Sequence, residues 1–94
     1  MEKELIEVKR ATLKFYKYEQ EGLVFYEFDA TECTPPEPMV NAIVGLSLLK
    51  NKNERLVGIF FHEPAPLYAR IPSDITYEAT ELENKDYRIV FKKA

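Results

Sequence analysis

The pattern of apolar and polar residues along the chain predicts four strands. Leu23 to Asp29 is aromatic and β-branched and follows the turn-like Gln20-Glu21-Gly22, which predicts a strand. Glu54 to His62 carries a nearly continuous apolar run, typical of a strand that is buried on both faces or paired centrally. Two further strands are predicted at Ile75 to Leu82 and at Tyr87 to Lys92, joined by a short polar turn.

A helix is predicted between the first two of these strands. The apolar residues beyond residue 38 have the spacing of one helical stripe, at Met39, Ala42, Ile43, Leu46 and Leu49. Prolines precede the stripe, where they are tolerated because the first helical N–H groups have no partner within the helix. We therefore expect Pro35 to cap this helix, with Pro36 and Pro38 at its first and third positions.

The first 20 residues allow two interpretations. Ala11 to Tyr18 can pair as a hairpin with the strand that begins at Leu23. A loose helical stripe is also present, at Leu5, Val8, Thr12 and Phe15. We favour the hairpin, which makes residues 1–20 an N-terminal extension that adds a strand to the sheet.

A second, short helix from Pro64 to about Ile71 completes the order β-α-β-α-β-β. A strand, a crossover helix and a parallel strand wind right-handedly, so both helices are expected on one face of a mixed sheet. A chain of 94 residues has the length of a single domain. The predicted fold class is an α/β (α+β) two-layer sandwich comprising residues 1–94.

Composition and charge narrow the range of partners. The 13 Lys and Arg residues stand against 16 Asp and Glu residues, so the net charge is -3 and the chain offers no basic surface for nucleic acid or anionic membranes. No stretch approaches the roughly 18 apolar residues that span a bilayer, and the charged N-terminus does not resemble an export signal. The single cysteine excludes an intrachain disulfide and a zinc ribbon. We therefore expect a cytoplasmic protein that binds neither nucleic acid nor membranes.

Two short motifs stand at the starts of the two predicted helices. In the first, Asp29-Ala30 leads to Pro36-Glu37-Pro38-Met39, and the second, HEPAPLY, spans residues 62–68. The first motif resembles the opening of TusA/SirA-like sulfur-carrier domains. The two motifs together more closely resemble the domain of unknown function 2249 family, which is related to TusA. The resemblance covers residues 23–92 and implies a TusA-like fold, but Pro35 stands where the sulfur-bearing cysteine of TusA would be.

The expected functional surface lies where these motifs meet, outside the carboxyl ends of the parallel strands. We call its residues the rim: Asp29, Pro36, Glu37, Pro38, His62, Glu63, Pro64 and Tyr68. The chain has no nucleophile elbow, Walker loop or dinucleotide fingerprint, so we expect the rim to bind a protein partner or a small ligand without catalysis and without a cofactor. An edge strand could in addition pair two copies into a homodimer.

A sulfur carrier that uses Cys33 is one alternative. Thiolates are favoured at helix N-termini, and Cys33 lies close to one. However, Cys33 precedes Pro35 by two residues and is expected in the loop, and the nearby Glu32 and Glu37 oppose thiolate formation.

A metal- or redox-cofactor-binding domain centred on His62 and Glu63 is the other alternative. A metal centre needs three or four ligands, and the further candidates are Asp29, Glu37 and Cys33. Their spacing is not diagnostic, but the fold could bring them together at one edge of the sheet. The haemerythrin-like domains often found beside the resembling family favour this alternative by analogy alone.

Overall fold

The computed structural model describes residues 2–94 as a six-stranded sheet with two helices. The strands are β1 (Glu4–Ile6), β2 (Phe15–Gln20), β3 (Leu23–Ala30), β4 (Glu54–Phe60), β5 (Ile75–Glu81) and β6 (Tyr87–Lys93), and the helices are α1 (Glu37–Leu46) and α2 (Ala65–Tyr68). The strand order is β1-β2-β3-β4-β6-β5, with β3 and β4 parallel and every other pair antiparallel. The predicted element order and mixed sheet are confirmed. Within residues 2–94, no helix is long and apolar enough to cross a membrane.

Both helices pack on the same face of the sheet. In α1, Gly45 lies so close to β4 that a Cβ there would be 2.8 Å from Leu56 Cδ1. In α2, the ring of Tyr68 stacks on Tyr77 of β5 with centroids 4.3 Å apart. Leu56 and Tyr77 are both register partners of Phe91 in β6, so they share one face. The result is the predicted two-layer sandwich of one sheet and one helix layer.

The core between the layers is largely aromatic. Phe28 stacks on Phe15 with ring centroids 5.0 Å apart, and it meets Phe60 edge-on at 5.7 Å. Each of the three side chains is 1% exposed. Gly58 leaves room for these rings, because a Cβ at that position would lie 2.7 Å from Phe60 Cε2. Since Phe15 belongs to β2, the N-terminal hairpin is part of the core.

The predicted N-terminal hairpin is confirmed, with a shorter strand. β2 pairs antiparallel with β3 across a turn at Glu21 and Gly22, both of which have positive φ. It begins at Phe15 rather than at Ala11, and the helical interpretation of these residues is wrong. A further edge strand, β1, was not predicted because three residues are too few to establish a period.

The helix boundaries differ from those predicted. Pro36, not Pro35, is the N-cap of α1, and Pro38 therefore occupies the second helical position. The reason is local: Pro36 O already accepts the first helical hydrogen bond, from Val40 N at 3.0 Å. Helix α2 spans only four residues and ends well before Ile71. Strand β4 stops two residues short of its predicted end, since the chain bends directly after Phe60.

Candidate functional site

An apolar cavity of about 270 Å³ opens at the carboxyl ends of β3 and β4. Ala30 and Phe60, the last residues of the two strands, both line it. Five of the other lining residues are prolines, from the approaches to α1 and α2: Pro35, Pro36, Pro38, Pro64 and Pro66. We call this cavity the proline pocket. Its position follows from the parallel pairing, which brings two strand ends and two helix starts to one edge of the sheet.

The prolines make the pocket wall apolar for a structural reason. Pro38 and Pro66 lie in the first turns of their helices, where the N–H group lost to the ring would have no partner within the helix. Neither helix start has a side-chain capping hydrogen bond, so apolar rings occupy the place where polar caps usually stand. Because proline has no backbone N–H group, these residues offer a ligand no backbone hydrogen-bond donor. Their rings are rigid, so they lose little conformational entropy when a ligand binds.

The thiol of Cys33 also lines the proline pocket. Cys33 is half-buried in the loop between β3 and α1, so its prediction as a loop residue rather than a helical one is confirmed. Burial raises the pKa of this thiol, and the carboxylates of Glu37, Asp29 and Glu32 raise it further. The predicted opposition of Glu32 and Glu37 to the thiolate is confirmed as well. The pocket therefore holds a thiol that is poorly activated as a nucleophile.

His62 lies at the mouth of the pocket, just beyond β4. Its ring is exposed and stands 4.3 Å from the ring of Phe61, which is itself 57% exposed. Neighbouring Glu63 also lines the pocket. In the part of the chain from residue 2 to residue 94, His, Cys, Asp and Glu side chains form no group of three or more that could hold a metal ion. His62 and Glu63 therefore lack the further protein ligands that a metal centre requires.

Tyr68 does not line the pocket, and its contacts anchor α2 to β5. Its hydroxyl donates a hydrogen bond to Glu63 Oε2 at 3.1 Å, and its ring stacks on Tyr77. Burial raises the pKa of Tyr68 and the carboxylate of Glu63 raises it further, so the hydroxyl stays protonated and can donate. Leu67 of the same helix is fully buried, so α2 is held on the sheet by both residues.

Asp29 and Glu37 flank the pocket without lining it. Asp29 Oδ1 accepts hydrogen bonds from Thr31 N at 2.8 Å and from Thr31 Oγ1 at 2.6 Å, which closes the loop after β3. Glu37 Oε2 accepts from Thr12 Oγ1 at 2.5 Å. The remaining rim residues apart from Tyr68 do line the cavity: Pro36, Pro38, His62, Glu63 and Pro64.

Several lining residues were not predicted. Ala30 and Phe60 end the two parallel strands, and that position is the signal that could have identified them. Met39 belongs to the predicted helical stripe and packs against the core, and it also lines the pocket. Nothing in the local pattern distinguishes a side chain that packs in the core from one that lines a cavity.

The pocket presents an apolar wall to an apolar group, and the raised pKa of Cys33 favours its protonated thiol. Apart from the thiol of Cys33, the polar side chains of the pocket are the exposed His62 and Glu63. Pockets with a mostly apolar lining and few polar groups are typical of ligand-binding sites. Comparisons of the chain with models of protein families, with curated proteins and with solved structures give no significant match.

Proposed function

We propose that this chain is a TusA/SirA-like domain without the family's cysteine, which binds a protein partner or a small ligand in the proline pocket and catalyses no reaction. The observation that carries the proposal is the apolar cavity of about 270 Å³ at the carboxyl ends of β3 and β4. Cavities at such strand ends are a common location for ligands in α/β folds.

The two motifs that carry the family resemblance support the proposal by their placement. Pro36 and Pro38 come from the first motif, and Pro64 and Pro66 come from the second; all four line the same cavity. Pro35, at the position of the family's cysteine, lines it too. A ring replaces a thiol at the place where a carrier domain would hold its sulfur, which favours binding over sulfur transfer.

The volume of the proline pocket suits a single apolar group. Cavities of about 150 Å³ lined by apolar side chains already bind benzene. The proline pocket, at about 270 Å³, has room for one aromatic ring or one branched aliphatic group with space at the mouth. Binding would bury the exposed faces of the prolines and of Phe61, and burial of apolar surface drives the association.

The methyl group of Met39 offers a direct test. The chain has two methionines, so protein labelled with ¹³C at the methionine methyl groups gives two signals, which the variant Met39→Leu assigns. We expect benzene and isobutanol to shift the Met39 signal in a saturable manner, and ethylene glycol to leave it unchanged.

Variants at prolines separate the pocket from the rest of the surface. We expect Pro38→Ala and Pro66→Ala to change the affinity for benzene, because they enlarge the cavity without removing a helical hydrogen bond. Pro72→Ala is the matched control, since Pro72 lies outside the proline pocket. Absence of a saturable shift, or equal affinities in all three variants and the unmodified protein, would overturn the proposal.

A further inference from the structure

We infer that the natural occupant of the proline pocket is a peptide segment of a partner protein, in which an apolar side chain of leucine or phenylalanine size stands beside a lysine or arginine. This inference rests on the proposed function and specifies its ligand. Three observations carry it: the size of the cavity, the exposed aromatic ring at its mouth and the distribution of charge around it.

The volume of the cavity lies just below the usual range of pockets that enclose a whole drug-sized ligand. Pockets that enclose drug-sized molecules measure about 300–1,000 Å³, whereas this one measures about 270 Å³ and is partly open. It can take one side chain and leave the attached backbone outside. Insertion of a single apolar anchor into a preformed pocket is a common form of protein recognition.

The mouth of the pocket provides a surface for that backbone. Phe61 is 57% exposed and lines the cavity together with Pro35 and Pro64. Grooves lined by aromatic side chains are common docking surfaces for extended peptides. The proline rings beside the cavity are rigid, so they lose little conformational freedom when a ligand binds. An exposed aromatic ring can also stack on an arginine of the peptide.

The charged side chains that line the pocket or act on Cys33 inside it are all acidic. Glu63 lines the cavity, and Asp29, Glu32 and Glu37 are near enough to raise the pKa of Cys33 inside it. Residues 18–49 and 56–69, which supply every wall of the pocket, contain no lysine or arginine.

These carboxylates have no positive partner in residues 2–94. The two ion pairs in that part of the chain are Lys3 with Glu27 and Lys93 with Asp74, and neither pair borders the pocket. Lys14 borders a neighbouring hollow together with Asp29 and Glu32, but it forms no ion pair with them. A lysine or arginine beside the inserted side chain would supply the missing charge, and a glutamate there would be repelled.

Three blocked dipeptides test this inference: acetyl-Phe-Arg-amide, acetyl-Phe-Glu-amide and acetyl-Ser-Arg-amide. Each is titrated to about 10 mM at low salt while the Met39 methyl signal is followed, a range that detects dissociation constants near 1 mM. We expect the Phe-Arg peptide to bind at least about fivefold more tightly than the Phe-Glu peptide, with the difference shrinking at about 1 M salt. The Ser-Arg peptide should bind more weakly than Phe-Arg because it has no apolar anchor.

Two variants test whether Glu63 causes the preference for the Phe-Arg peptide over the Phe-Glu peptide. Glu63→Gln should reduce the preference for Phe-Arg over Phe-Glu, whereas Glu78→Gln, the same change on an exposed residue of β5, should leave it unchanged. Equal binding of Phe-Arg and Phe-Glu, or loss of the preference in both variants alike, would overturn the inference and leave the proposed pocket intact. Failure of benzene, isobutanol and all three dipeptides to shift Met39 would overturn both proposals.

Discussion

Asn41 and Thr12 are joined by two reciprocal hydrogen bonds. Thr12 N donates to Asn41 Oδ1 at 2.9 Å, and Asn41 Nδ2 donates to Thr12 Oγ1 at 2.8 Å. The same amide also accepts from Leu13 N at 3.2 Å and donates to Glu37 O at 2.9 Å, so its full hydrogen-bonding capacity is used although the side chain is 0% exposed. It therefore ties the segment before β2 to the first turn of α1, beside the proline pocket.

We expect Asn41→Leu to lower the free energy of unfolding by about 3 kcal/mol. Leucine has a similar volume but leaves the N–H groups of Thr12 and Leu13 without their acceptor, and an unsatisfied buried donor costs about 1–3 kcal/mol. Thr12→Ala removes one partner of the same amide and should cost only about 1 kcal/mol. Urea denaturation measures both values, and equal losses in the two variants would contradict this role of Asn41.

The carboxylate of Glu54 makes stability depend on pH. Burial would raise its pKa, but the N–H groups of Lys50 and Asn51, the hydroxyl of Tyr26 and the charge of Lys17 together lower the pKa below its ordinary value of 4.5. Since the unfolded chain binds this proton more readily, the stabilisation is fully present above about pH 4.5 and is lost as pH falls through the lower pKa of the folded state.

We expect Glu54→Gln to remove part of this acid sensitivity. Between pH 5 and about pH 3, the urea midpoint of the unmodified protein should fall more steeply than that of the variant, while at pH 7 the variant should be the less stable by about 1–3 kcal/mol. Parallel pH profiles of the two proteins would show that Glu54 does not contribute.

Gly58 should tolerate no side chain. A Cβ there would lie 2.7 Å from Phe60 Cε2 and 2.9 Å from Phe28 Cζ, so Gly58→Ala must displace rings in a packed core and should cost about 1–3 kcal/mol. Because Phe60 also lines the proline pocket, benzene affinity should change in the same variant.

Gly45→Ala is the matched comparison for that change. Its Cβ would meet two methyl groups of Leu56, which are the flexible end of a side chain, as well as the ring edge of Phe15 at 3.0 Å. Alanine also favours a helix over glycine by about 1 kcal/mol, which offsets part of the crowding. A larger loss of stability for Gly45→Ala than for Gly58→Ala in urea denaturation would contradict this interpretation.

The thiol of Cys33 should react slowly near neutral pH. Burial and then Glu37 raise its pKa above the ordinary value of 9.0, so the thiolate fraction at pH 8 is smaller than in an unfolded peptide. We expect the alkylation rate by iodoacetamide to rise with a midpoint above pH 9, and Glu37→Gln to lower that midpoint. A midpoint below that of a cysteine in a short peptide would contradict the proposed inactivity of the thiol.

Sulfur loading gives the sharpest test against a carrier function. After incubation with a cysteine desulfurase and cysteine, we expect the intact mass of the protein to show no added sulfur, because the Cys33 thiolate is disfavoured. A known carrier treated in parallel is the positive control. An added sulfur that Cys33→Ser abolishes, and that passes to an acceptor, would support the carrier hypothesis instead.

Sequence patterns predict the four longest strands within two residues of each end, because an alternating or continuous apolar pattern over seven or eight residues is visible along the chain. The three residues of β1 are too few for a period, and the choice between Pro35 and Pro36 as cap depends on how the loop enters the helix. Rim residues such as Pro38 and His62 could be predicted because parallel strands end at one edge. The exposure of Phe61 could not be predicted, because it depends on the bend of the chain directly after β4.

The position of Phe15 has a consequence for the smallest unit that can fold. Its ring is stacked on Phe28 and contributes to the packing surface under α1, although it precedes the region of family resemblance. A shortened chain that begins at Leu23 would leave Phe28 with one side uncovered and would turn β3 into an exposed edge. We therefore expect a fragment that folds stably to need residues 12–20. A fragment that starts at Leu23, where the family resemblance begins, should be less stable and should associate through the exposed edge of β3.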